Sequence, residues 1–134
     1  MQRLVVDTNV IVSSLIQKSF PYKIINELFI EDRIILCVSE KLMAEYYEVL
    51  RRPKFAQYPD FVTRAEILLS DIEIKSAKFY PEISIDLLSD SDDNMILELA
   101  DACLADYIVT GNTNDFTFPF YKHTNCYTTR ILAA

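Results

Sequence analysis

Leu4, Val5 and Val6 run directly into Asp7, Thr8 and Asn9, and the apolar pattern resumes at Val10, Ile11 and Val12. A short apolar strand that releases a carboxylate at its C-terminal end places charge where open α/β sheets build their sites. The rest of the chain keeps the alternation this opening implies. Residues 4–6 read as strand, and residues 8–17 and 21–30 as helix, with Pro21 suited to a helix start. Residues 33–38 read as a second strand. Ser39 is a good N-cap for a helix running to about Arg52, where Pro53 stops it. Residues 60–70 read as helix, and residues 72–85 as an ambiguous, β-leaning stretch interrupted by Pro81. The next helix begins within residues 90–93 and runs to about Ala105; strands at 107–110, ending at Gly111, and at 125–128 complete the pattern. Strands separated by helices imply right-handed crossovers and a mostly parallel sheet covered on both faces.

At 134 residues the chain fits one domain, 1–134, with no internal repeat or linker. A hydrophobic fraction of 51% excludes a disordered chain. No apolar run reaches the roughly 18 residues of a membrane span, and Asp7 breaks the first apolar run before it can serve as a signal-peptide core, so a cytoplasmic protein is expected. The three cysteines, Cys37, Cys103 and Cys126, sit in apolar contexts and read as reduced, buried side chains. With His123 the only histidine, a zinc cluster lacks ligands. Gly111 is the only glycine, which excludes a phosphate-cradling loop and a dinucleotide fingerprint. The net charge of −7 is the wrong sign for general phosphate neutralisation, so any nucleic-acid role needs local cations or a bound metal.

Helical phase separates informative acids from ordinary ones. In the Ser39 helix the apolar stripe is Leu42, Met43, Tyr46, Val49 and Leu50; Glu45 lies at its edge and Glu48 points nearly the opposite way. Glu45 is therefore the candidate, against the alternative of a stripe-edge residue in solvent. In the later helix the stripe is Ile96, Leu97, Ala100, Cys103 and Leu104, and Asp93 falls on that face, with Asp90 and Asp92 on its flanks. For Asp93, as for Asp7, helix capping is the competing explanation. What favours a site is convergence, since Asp7 ends one strand and Asp93 starts a helix feeding another, so both can face the crevice at the carboxyl ends of the strands. With Glu45, three carboxylates meet. Such a cluster is costly unless a cation neutralises it, and hard oxygen ligands without thiolate or imidazole select Mg²⁺ or Mn²⁺. A carboxylate-bound ion of that kind can activate water and stabilise charge on a phosphodiester, which is nuclease chemistry.

Four segments carry a family resemblance: Val5-Val6-Asp7-Thr8-Asn9-Val10; Ser39-Glu40-Lys41-Leu42-Met43-Ala44-Glu45-Tyr46 with Leu50-Arg51-Arg52-Pro53-Lys54-Phe55; Asp90-Ser91-Asp92-Asp93-Asn94 with Leu97-Glu98-Leu99-Ala100; and Ala105-Asp106-Tyr107-Ile108-Val109-Thr110-Gly111. In that order they resemble PIN-domain proteins, and especially the branch of toxin subunits of toxin-antitoxin systems. The resemblance implies a three-layer α/β/α domain with a short parallel sheet and a Mg²⁺- or Mn²⁺-dependent ribonuclease site. The family's acids fall on Asp7, Glu45 and Asp93, with Asn9 orienting the first acid or a water and Thr110 in support. The chain departs at the fourth acid, where Asn112 stands for the usual Asp; Asn still offers a neutral oxygen, and Asp115 in the same loop is a substitute. The competing explanation for Asn112, Asn114 and Asp115 is a polar turn after the glycine. Arg51, Arg52 and Lys54 either complement the helix dipole or contact RNA phosphate. Tyr46 and Tyr47 read as core and interface. Implied partners are RNA, an antitoxin protein whose segment lies over the acidic crevice, and a second copy in a homodimer. Two other readings stand beside this one: a catalytically weak PIN-fold module that binds RNA or protein, and an acid-phosphatase-like hydrolase with Asp7 as nucleophile. The latter is weakened by Asn9 where such enzymes place a second Asp.

Overall fold

A computed structural model of the chain describes residues 1–82, 84, 87–88, 91–111, 120–121 and 124–128. Strand β1 (Arg3–Val6) leads into α1 (Thr8–Ile16). The short α2 (Phe20–Tyr22) starts with Pro21 in its first turn and runs on as a π-helical segment, Lys23–Phe29, so the expected second helix is present with a wider winding. Strand β2 (Ile35–Val38) precedes α3 (Glu40–Leu50), whose N-cap is the predicted Ser39, its hydroxyl accepting from Leu42 N at 3.2 Å. Pro53 then opens a 3₁₀ turn, Pro53–Gln57. Helix α4 (Phe61–Lys75) is longer than expected, and it corrects the β-leaning reading of residues 72–75. Ile72 is buried there on the same face as Phe61, Ala65, Leu68 and Leu69, so packing overrides the β-branched preference of Ile72 and Ile74. Strand β3 (Ala77–Lys78) follows, then α5 (Ser91–Cys103), β4 (Tyr107–Thr110), β5 (Phe120–Tyr121) and β6 (Thr124–Thr128).

These strands form one sheet in the order β3-β2-β1-β4-β6-β5, parallel throughout except for the β5–β6 pair. The connections step one way from β1 to β3 and the other way from β3 to β4 to β6. Right-handed crossovers therefore put α1 to α4 on one face and α5 on the other, which is the expected three-layer α/β/α arrangement. The order of strand addition reverses between the parallel neighbours β1 and β4, and their register aligns Val6 with Val109, so Asp7 and Thr110 lie side by side at that end of the sheet. Asp7 N donates to Val109 O at 2.9 Å, extending the ladder one step beyond β1.

The core is continuous across both faces, from Val5, Val6, Leu36 and Ile108 in the strands to Ile11, Leu42, Tyr46, Leu69, Ile72, Leu97 and Leu99 in the helices. All five stripe residues of α3 are buried as expected. In α5, Ile96, Leu97, Ala100 and Cys103 are buried, but so are Met95 and Leu99, because this helix covers β1, β2 and β4 and also meets α3. Leu104 is a correction: it lies just past the helix and is 75% exposed. Cys37 and Cys103 are free and buried, as read from sequence. Among the described residues no helix is long and apolar enough to cross a membrane.

Candidate active site

Asp7 sits where β1 gives way to α1, and its two carboxylate oxygens have different partners. Oδ1 accepts from Thr8 N at 2.7 Å, the cap bond of α1. Oδ2 accepts from the buried hydroxyl of Thr110 at 2.8 Å, across to the end of β4. The capping and site explanations for Asp7 are thus not exclusive; one oxygen serves the helix and the other reaches across the switch point of the sheet.

Thr8 makes the next connection. Its hydroxyl donates to Glu45 Oε2, so the helical acid of α3 is tied to the residue after Asp7. Beneath them, Tyr46, fully buried, donates its hydroxyl to Val6 O and pins α3 to the last carbonyl of β1. Burial first, and then the neighbouring charges of Asp7 and Glu45, push the Tyr46 phenol well above its usual range. Phase in the sequence had separated Glu45 from Glu48, and the structure separates them likewise: Glu45 is half-buried in this crevice, Glu48 exposed and bound to Arg52 at 2.9 Å.

Asp93 is in the first turn of α5, 8% exposed against 9% for Asp7. Its neighbour Asn94 secures the chain leading into that turn: Asn94 Oδ1 accepts from Leu88 N at 2.7 Å and Leu87 N at 3.2 Å, while Nδ2 donates to Leu88 O at 2.7 Å. Asn9 is exposed on the first turn of α1. Asn112, Asn114, Asp115 and the proposed cap Asp90 lie outside the described residues. The structure therefore joins Asp7, Glu45, Thr8 and Thr110 in one hydrogen-bonded unit and buries Asp93 at the start of the helix that packs on β1. Among the described residues no three His, Cys, Asp or Glu side chains are grouped so as to hold a metal ion. The donor set itself, carboxylates with hydroxyls and neither thiolate nor imidazole, suits a hard divalent cation.

The basic run stands apart. Arg51 makes a two-pronged bond to Glu66, with Nη2 at 2.9 Å and Nε at 3.2 Å, and lies over the Tyr47 ring. Lys54 lies over Phe55. These exposed pairs contribute little to stability. Two residues were missed by sequence reasoning as site members. Thr8 was quoted only within the segment around Asp7, with no role of its own, and its partner lies 37 positions away, with no local pattern to announce it. The role of Asn94 depends on a loop folding back over a helix start, which periodicity does not register.

Residues 3–114 match the family described as PIN domain. The chain belongs to the PIN-domain family. As a fold, this PIN domain is similar to a chain in the crystal structure of VapBC2 from Rickettsia felis bound to a DNA fragment from their promoter, with a TM-score of 0.59 and 17% identity over 95% of this chain and 98% of that one. No curated protein sequence matches it.

Proposed function

We propose that this PIN domain is a metal-dependent ribonuclease that hydrolyses RNA phosphodiesters as the toxin of a toxin-antitoxin pair. The observation that carries the reading is the unit of Asp7, Thr8, Glu45 and Thr110 at the switch point, where Thr8 links two carboxylates from different elements, its N–H donating to Asp7 and its hydroxyl to Glu45. Asp7, Glu45 and Asp93 would hold Mg²⁺ or Mn²⁺, with Asn112 or Asp115 as further oxygen donors. When bound, such an ion supplies a nucleophile from water at neutral pH and neutralises charge on the phosphodiester.

The chain's own residues then have distinct tasks. Thr110 orients Asp7 by donating to Oδ2, and the cap bond from Thr8 N holds Oδ1, so the carboxylate is fixed in direction from two elements. Thr8 turns Glu45 toward Asp7, and Tyr46 fixes the spacing of their two elements. Burial of Asp93 keeps its carboxylate in surroundings of low polarity, where attraction to a cation is stronger than in water. The antitoxin protein and a second copy in a homodimer complete the proposed partners, supported by the resemblance to the toxin branch of the family.

The test is cleavage of a labelled single-stranded RNA in Mn²⁺, Mg²⁺ or EDTA by wild type and Asp93→Asn purified identically. Cutting that requires metal and disappears in the variant is expected. Equal cutting by both proteins overturns the reading.

A further inference from the structure

On the outer side of the sheet, away from the Glu45 face of α3, a cavity of about 320 Å³ opens between α3 and the edge strand β3. Tyr47 of α3 and Tyr80, just beyond β3, border it, with Met43 and Phe79 deeper in. Phe79 is partly buried against the core, but the Tyr80 ring is 69% exposed, a large aromatic face left in solvent beside a hole. Glu40 and Glu73 line the same cavity, and Glu73 is paired with Lys78 at 2.9 Å. A second hollow of about 170 Å³ shares Ser39, Glu40, Phe79 and Tyr80 and reaches Glu98 of α5, so the groove crosses the carboxyl end of the sheet.

We propose that this groove is a pocket for one unpaired nucleobase of an RNA strand, one that carries an exocyclic amine. The proposal rests on the ribonuclease reading for its substrate. Single-stranded RNA is recognised by splayed bases that stack on aromatic rings and are read along their edges. Tyr80 supplies the exposed ring, and the carboxylate of Glu40 accepts from an amine, as acidic side chains do from cytosine; Tyr47, faced by Arg51, and Glu73, paired with Lys78, form the wall of the groove. The groove carries three glutamates against Lys41 and Lys78, with Glu73 neutralised by Lys78, so its slight negative surplus suits a neutral base better than a phosphate. The reach is suitable: β3 lies two strands from β1, about 10 Å along the edge that carries Asp7, or on the order of three stacked nucleotides.

Binding is measured with fluorescein-labelled six-nucleotide RNAs of adenine, cytosine or uracil in EDTA, and cut positions are mapped on a mixed-sequence RNA in Mn²⁺. Wild type is expected to bind the adenine and cytosine oligomers about tenfold tighter than uracil. Tyr80→Ala, an exposed change that leaves the core untouched, removes most of that binding, and Glu40→Gln narrows the gap between bases; Tyr58→Ala, on the 3₁₀ turn side, changes nothing. Equal binding and the same cut positions in wild type and Tyr80→Ala overturn the pocket and leave the groove to a protein segment. A wild type that neither binds with preference nor cuts with preference overturns it as well. Base-selective binding lost in Tyr80→Ala without any cutting sinks the ribonuclease reading alone, because the EDTA measurement does not depend on catalysis.

Discussion

A single hydroxyl, that of Thr8, ties Glu45 to the residue that follows Asp7. Thr8→Val keeps the shape and removes the bond to Glu45, so metal-dependent cleavage is expected to fall at least tenfold while the urea midpoint moves little, since exchanging one such bond for water costs about 1 kcal/mol. Unchanged cleavage in Thr8→Val would show that Glu45 finds its place without help. Tyr46 makes a prediction in pH. Its phenol is held above the usual value of 10.0, so the folded chain keeps this proton where the unfolded chain releases it. The resulting stability is fully present below about pH 10 and is lost as pH rises beyond it, at up to about 1.4 kcal/mol per pH unit. Tyr46→Phe should cost about 1 kcal/mol at pH 7 through the lost bond to Val6 O, yet show a shallower decline above pH 10 in urea titrations. A parallel decline in both proteins would place the alkaline sensitivity on other tyrosines.

At the scale of elements, α5 ends in an unusual way. Ala105 N donates to Ala100 O at 3.0 Å and Leu104 N to Asp101 O at 3.4 Å, the paired bonds of a Schellman cap, with Leu104 at φ 53° where glycine normally sits. An aliphatic residue in the left-handed region costs about 1–2 kcal/mol, part of which glycine returns as unfolded-chain entropy. Leu104→Gly is thus expected to raise the urea midpoint by the equivalent of about 0.5–1 kcal/mol with an unchanged slope; a drop would mean that the exposed side chain has a partner. Leu104 also illustrates what sequence conceals. Its spacing continues the Ile96, Leu97, Ala100, Cys103 stripe, and nothing local says that the helix has already stopped. Where a 3.6-residue stripe is long and one-sided, as in α3, the buried face and the position of Glu45 could be read directly. Where packing surrounds an element, as on α5, or extends one past its propensity, as at Ile72, the pattern alone misleads.

For the molecule as a whole, ligand linkage offers a test independent of catalysis. Mn²⁺ at a hundredfold excess over its dissociation constant should stabilise wild type by about 2.7 kcal/mol, a rise in melting temperature of several degrees. Asp93→Asn should show little of that rise and, in EDTA, should be no less stable than wild type, because it relieves like-charge repulsion. A large fall in its melting temperature without metal would favour the capping role for Asp93. The three-layer architecture was legible because strands and helices alternate and crossovers have one hand. The convergence of Asp7, Glu45 and Asp93 on one edge was an inference from that topology, and the hydroxyls that organise the first two became visible only in three dimensions.

The bond from Thr110 to Asp7 spans 103 positions of the chain. During synthesis Asp7 is made before β4 and must wait for it before its second oxygen is held, while β4 in turn pairs with β6, which follows it in the chain. Contacts of such separation form late, after the loop between them has closed. A chain that stops short of β4 therefore contains Asp7 without the hydroxyl that holds its second oxygen, and that hold exists only once translation has passed β4.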